Sequence, residues 1–200
     1  MEAISNSKII DGRAIAAQLF EQIYSQAVYL PFKPLLCDVI VGNDPVSLSY
    51  VNIKKKRAQE CGFDFSLVQL PADSTEEEVI AAIQTEQEKK NLCGLIVQLP
   101  MPQNLDAQRI LEKINPEGIN PSTTHVLIPP TAGAILHLLD TLPKEVVPDL
   151  SQEKFVVLGQ GDLVGKPIAE ALQARGYEVE TILSGTPDRA QILKSATVII

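Results

Sequence analysis

The 200-residue chain has no tryptophan, and four tyrosines and five phenylalanines are its only large aromatic residues. Its core must therefore be built from aliphatic side chains, within a hydrophobic content of 45%. An excess of basic charge is missing too, because 17 Lys and Arg face 25 Asp and Glu for a net charge of -8. That balance excludes nucleic acid as a partner, since a phosphate backbone calls for a basic field. The basic runs Lys54-Lys55-Lys56-Arg57 and Lys89-Lys90 are local and read as solvated faces, Lys54 excepted. Cysteine is scarce: Cys37, Cys61 and Cys93 are odd in number and lack the close pairs of a zinc site. They are expected to be buried, reduced structural thiols, which fits a cytosolic compartment. The longest apolar stretch, Val126 to Leu139, is broken by Pro129-Pro130 and is too short to span a bilayer. Met1 to Ser7 lacks a positive start followed by an apolar run, so it reads without a secretory signal. A soluble, cytoplasmic protein with no membrane partner is expected.

Strand-like and helix-like segments alternate, which points to an α/β fold of two domains. Helices are expected over 12–24 behind Asp11, over 45–61 closed by Gly62, and from a Ser74/Glu77 capping box through Gln87. Further helices are expected over 106–114, 131–139, 163–174 and 187–194. Strands are expected over 35–41, 65–70, 95–99, 155–158, 178–183 and 196–200. Pro143 and Pro148 mark 140–154 as a linker. The division expected is an amino-terminal catalytic domain over 1–145 and a Rossmann-type dinucleotide domain over 146–200. The chain stops on the apolar strand Thr197-Val198-Ile199-Ile200, halfway through such a domain, and reads as a fragment of a longer protein.

Two motifs carry chemistry. In Val41-Gly42-Asn43-Asp44-Pro45-Val46-Ser47-Leu48-Ser49-Tyr50-Val51-Asn52-Ile53-Lys54, helical spacing places Ser47, Tyr50 and Lys54 along one stripe. A lysine in a cleft beside a phenol is suited to proton transfer; the alternative is a packed tyrosine and a snorkelling lysine. Gln98, at the end of a buried strand, could orient that amine if the two meet. The second motif, Gly159-Gln160-Gly161-Asp162-Leu163-Val164-Gly165-Lys166-Pro167, is a glycine-rich turn between strand and helix. Gly161 would let backbone approach a pyrophosphate, and Gly165 would let the helix pack closely on the sheet. Its spacing is one residue longer than the usual fingerprint, and Asp162 places a carboxylate near the phosphate position. The Tyr-x-x-x-Lys pair precedes the glycine turn, whereas in short-chain dehydrogenases it follows.

These segments resemble the bifunctional methylenetetrahydrofolate dehydrogenase/methenyltetrahydrofolate cyclohydrolase family. The family's V-G-x-x-P-A-S-x-x-Y-V-x-x-K run matches Val41 to Lys54, with Val46 in place of alanine. Its G-x-x-V-Q-L-P-L-P run matches Gly94 to Pro102. Its P-C-T-P-x-G-I-I run is similar to Pro129 to Leu136, and its G-R-S-x-x-V-G-x-P run to Gly159 to Pro167. Weaker similarity lies at Ile10-Asp11-Gly12 and Ser184-Gly185-Thr186.

The resemblance implies oxidation of 5,10-methylenetetrahydrofolate with NADP, or NAD, and hydrolysis of the product to 10-formyltetrahydrofolate. It implies Lys54, Tyr50 and Gln98 as catalytic residues, and Ser47, Tyr50, Gln98, Leu99 and Pro100 as substrate contacts. Gly159, Gln160, Gly161, Asp162, Val164, Gly165, Ser184 and Thr186 would meet the cofactor, no metal is implied, and the intact protein would be a homodimer. Three departures stand out. Where the family has K-D-V-D-G with a pterin-binding aspartate, this chain has Glu117-Gly118-Ile119-Asn120-Pro121-Ser122. Gln160 and Gly161 replace an arginine and a serine, and Gly185 replaces an arginine, removing cations suited to a phosphate. A degenerate homologue that binds folate or nucleotide without chemistry is the alternative those losses motivate.

Overall fold

The computed structural model describes residues 9–114, 128–143, 146–147 and 149–200, which fall into two compact units. In the first, β1 (Leu35–Val41) lies between β2 (Asp64–Leu70) and β3 (Leu92–Val97), all parallel. Parallel neighbours need crossover connections, and α2 (Pro45–Glu60) and α3 (Glu76–Gln87) supply them. Side chains alternate across β1. Cys37, Val39 and Val41 pack with Val79 and Ile83 of α3, whereas Asp38 points to the face that α2 covers. α1 (Gly12–Ala27) starts where Asp11 accepts the N–H groups of Arg13 and Ala14, and it packs on α2 with Phe20 under the Arg57 guanidinium. The short α4 (Ala107–Leu111) adds Ile110 to the core.

Three local expectations shift. The reciprocal capping box of α3 is Thr75 with Glu78, one residue past the Ser74/Glu77 expected. Both registers satisfy the pattern, and Ser74 is buried in the preceding turn, where its carbonyl accepts from the Asn104 amide. β3 begins at Leu92, because Leu92 pairs with Leu35 at the start of β1. Between Leu35 and Leu36 the register slips, so Cys93 is the unpaired residue of a bulge and is exposed, not buried as expected. Cys37 and Cys61 are buried and free.

In the second unit β4 (Lys154–Leu158) lies between β5 (Glu178–Ile182) and β6 (Val198–Ile199), again in parallel. α6 (Gly165–Ala174) crosses from β4 to β5, and α7 (Arg189–Ser195) from β5 to β6. α5 (Pro130–Thr141) belongs to this unit: Ala132, Leu136 and Leu139 share a core with Phe155, Val157, Ile168 and Leu172. Arg175 at the end of α6 clamps Asp140 of α5 with two hydrogen bonds of 2.7 and 3.1 Å. α5 therefore lies on the second unit's side, ahead of the 145/146 boundary drawn from the prolines. Among its described residues the expected linker also holds a 3₁₀ turn, Leu150–Gln152, which Asp149 caps. Among the described residues no helix is long and apolar enough to cross a membrane.

Burial pushes the Cys37 thiol up to about 12, with the Glu86 carboxylate beside it adding to the rise. A thiol reagent at neutral pH is expected to label Cys93 in the native protein and to reach Cys37 only after denaturant unfolds it. Quantifying labelled cysteines by peptide mass spectrometry checks this, and rapid native labelling of Cys37 contradicts the packing of β1 on α3.

Candidate functional site

In the first unit the polar side chains converge on one amine. The buried residues of α2 are Ser47, Val51 and Ala58, spaced so that Lys54 falls on the same inner stripe. Lys54 is thereby carried over the sheet, and its Nζ lies 2.8 Å from Gln98 Oε1. Gln98 follows β3 directly, and its backbone N–H still donates to Val39 of β1 at 2.8 Å, which pins it at the carboxyl edge of the sheet. Its Nε2 donates to the Leu99 carbonyl at 2.6 Å, leaving Oε1 to face the ammonium.

Asp38 completes the arrangement and was not among the residues expected from sequence. It is fully buried in the middle of β1, and its Oδ2 lies 2.5 Å from Lys54 Nζ as an ion pair. This contact lacks the alignment of a good hydrogen bond, and Oδ1 has no hydrogen-bond partner among the described residues. Burial raises the Asp38 carboxyl above its ordinary value, and the Lys54 ammonium, by hydrogen bond and charge, pulls it part of the way back. The signal was present in sequence: one acid inside the otherwise apolar run Leu35–Val41, and one lysine on the inner stripe of the next helix.

Ser47 shares that inner stripe with Lys54, whereas Tyr50 turns away from it. Tyr50 is 60% exposed, one turn before Lys54, whereas Ser47 is buried and serves the helix start. Its N–H donates to Asp44 Oδ2 at 2.8 Å, and hydrogen bonds from the Ser47 backbone and hydroxyl hold the Asp44 carboxyl below its ordinary value. Leu99 is half-buried and Pro100 exposed. The segment Glu117 to Ser122, where the resemblance implies a pterin-binding acid, lies outside the described residues.

The glycine turn of the second unit is built from backbone. Gly159 leaves β4 with φ of +96°, a conformation that favours glycine. A Cβ at Gly165 would overlap the Gly159 carbonyl, with its carbon only 2.8 Å away, so α6 starts in direct contact with the end of β4. No side chain caps α6, whose first residues face an open pocket of about 430 Å³ lined by Gly161, Asp162, Leu163 and Val164. At this helix start Val164 and Lys166 donate to the Gly161 carbonyl, and Pro167 has no N–H. A dinucleotide pyrophosphate approaching past the glycines would therefore meet the positive end of the α6 dipole rather than a row of free N–H groups. Gln160, Gly161 and Asp162 are all exposed, so the Asp162 carboxylate is solvated. Ser184 is exposed, while Thr186 closes its own turn by accepting the Leu183 N–H at 2.8 Å.

Two outcomes test this construction. Lys54→Met strips Asp38 of its counter-ion, and leaving one half of such a pair alone costs about 3 kcal/mol. A carboxyl whose folded pKa exceeds its unfolded one gains a proton on folding. Its penalty is therefore absent at low pH and grows as pH rises from the ordinary carboxylate range through the raised value. Urea unfolding should show the Lys54→Met deficit near neutrality and its narrowing toward acid pH; a deficit independent of pH contradicts the ion pair. Gly165→Ala forces a methyl onto backbone that has no room to yield, and a loss of about 3 kcal/mol in the same measurement is expected.

Comparisons with known proteins agree with both halves of this picture. Residues 10–118 match the family model for the tetrahydrofolate dehydrogenase/cyclohydrolase catalytic domain, and residues 129–200 match its NAD(P)-binding domain. A bifunctional protein FolD from Staphylococcus aureus is 34% identical over 208 residues, covering 97% of this chain and 71% of its own length. Another, from Lactobacillus delbrueckii subsp. bulgaricus, is 32% identical over 207 residues, covering 96% and 72%. Among solved structures, the Trypanosoma brucei N5,N10-methylenetetrahydrofolate dehydrogenase-cyclohydrolase complexed with NADP and an inhibitor has a TM-score of 0.85 at 28% identity, over 98% of this chain and 72% of that one. The Campylobacter jejuni bifunctional FolD enzyme has a TM-score of 0.84 at 27% identity, over 94% and 71%. This chain belongs to the tetrahydrofolate dehydrogenase/cyclohydrolase family.

Proposed function

We propose that this protein acts in one-carbon folate metabolism, oxidising 5,10-methylenetetrahydrofolate to 5,10-methenyltetrahydrofolate and hydrolysing that product to 10-formyltetrahydrofolate. The observation that carries this reading is the Lys54 amine, held at 2.8 Å from Gln98 and in an ion pair with Asp38 in a family whose folate unit this is. The nicotinamide of NADP supplies a hydride acceptor for the first step. The backbone of Gly159, Gln160, Gly161, Asp162, Val164 and Gly165, with Ser184 and Thr186, would hold that cofactor. NAD shares the same pyrophosphate, and the absence of a cation at Gln160, Gly161 and Gly185 leaves this turn without side-chain charge for a 2′-phosphate.

Hydrolysis adds water to the methenyl carbon of a cationic substrate; both protons of that water are lost as the formyl C=O forms, one reaching the ring nitrogen as the five-membered ring opens and one leaving to solvent. An ammonium has three N–H donors; Gln98 accepts one, and Asp38 holds the charge as an ion pair beside a second. The third is left for the folate, so Lys54 can deliver a proton to the leaving nitrogen and recover one from water. Tyr50 offers an exposed phenol ring to the pterin, and Gln98, Leu99 and Pro100 form the rest of the substrate edge. Ser47 supports that edge from below through its place at the start of α2. The working protein is a cytoplasmic homodimer in this reading.

The test is Lys54→Ala. Hydrolysis of methenyltetrahydrofolate, followed by its absorbance, should fall at least 100-fold, while folate binding by calorimetry persists. Unchanged turnover in that variant ends the assignment of Lys54. Wild-type protein that binds folate and NADP but turns over neither substrate identifies a binding homologue instead.

A further inference from the structure

We propose that Asp38 is a positioning residue for the reaction proposed above: its buried carboxylate fixes the Lys54 ammonium against Gln98 and so sets where the amine meets the folate. The inference rests on that reading and assigns a role to a residue that neither motif contains.

The geometry argues for a single purpose. In register, Asp38 is flanked by Leu67 of β2 and Ile96 of β3, so its strand neighbours offer no polar group. Its carboxylate satisfies no backbone N–H, and Oδ1 has no hydrogen-bond partner among the described residues. A carboxylate placed fully inside an apolar sheet brings a desolvation cost, and packed aliphatic residues would serve the fold equally well or better. What it does have is Lys54, at 2.5 Å from Oδ2. Lysine is a point charge on a flexible four-carbon stem, and its rotamer freedom is a large part of the cost of using it. Two acceptors, Asp38 from below and Gln98 from the strand end, take that freedom away before substrate arrives.

The groups that face the pair are few. β1 contributes Asp38, the end of β3 contributes the neutral Gln98, and α2 contributes Lys54 with Tyr50 one turn earlier. β2 contributes Leu67 beside Asp38. On α1, Phe20 meets Arg57, and Arg57 is itself paired with Glu60 at 2.7 Å. Among the described residues Lys54 makes no other ion pair. The anchoring depends on Asp38 being ionised, and burial raises that carboxyl above its ordinary value. Protonation removes the anchor as pH falls through that raised value.

The experiment compares wild type with Asp38→Asn and Asp38→Val across the pH range from 4 to 9. Methenyltetrahydrofolate hydrolysis is measured with the uncatalysed rate subtracted, and the lysine side chains are observed by heteronuclear NMR. In wild type, kcat should fall on the acid side as Asp38 takes up its proton, and the Lys54 Cε resonance should move with the same midpoint. In Asp38→Asn, kcat should drop at least tenfold near neutrality with KM changed less than threefold. The acid limb should vanish, and the Lys54 resonance should stop sensing that titration. Asp38→Val, which suits an apolar strand, should behave alike and excludes an artefact of the buried amide. An acid limb that persists in both folded variants overturns the proposal, as does a wild-type Lys54 resonance blind to the carboxyl. Wild-type protein without turnover defeats the function proposed above, while the NMR arm still tests the Asp38–Lys54 anchor.

Discussion

One ion pair organises the folate unit: a carboxylate rooted in the central strand and an ammonium lowered onto it from the neighbouring helix. Between them they join β1 to α2, and the Gln98 amide extends the link to the end of β3. Three elements that the chain visits in sequence are thus tied at one point by side chains whose charged groups could not be buried singly. The surrounding packing serves that point. Val51 and Ala58 hold α2 against the sheet on either side of Lys54, and the backbone bond from Gln98 to Val39 keeps the strand end from fraying.

Desolvation shapes both faces of β1 in opposite ways. On the α3 side it keeps Cys37 a neutral thiol among Val79 and Ile83, chemically quiet. On the α2 side the same strand carries a charge that only its partner makes tolerable. Side-chain alternation along seven residues separates a neutral apolar face from a charged one.

Much of this was legible in the sequence, for identifiable reasons. Alternating apolar runs and helical stripes located nearly every element, because the central strands β1 and β4 are buried and largely apolar while the edge strands β2 and β5 alternate apolar with polar residues. Lys54 and Gln98 stood out as polar groups at a helix stripe and at a strand end. Asp38 was passed over because a lone acid within an apolar strand has no local signature of its partner, which is 16 positions away in sequence. Cys93 was misplaced because a bulge flips a residue without any change in composition. The domain boundary slipped because prolines mark where a helix cannot continue, whereas the boundary follows which core the α5 stripe joins. Overlapping S/T-x-x-E patterns left the α3 cap ambiguous by one residue.

The contact between Gly165 and Gly159 also bears on how this family branch can diversify. It joins the hydrogen bonds from Val164 and Lys166 to the Gly161 carbonyl in holding the turn by main chain, while the side chains of Gln160 and Asp162 are exposed. The charge this turn presents can therefore change at Gln160 and Asp162 with the scaffold left intact.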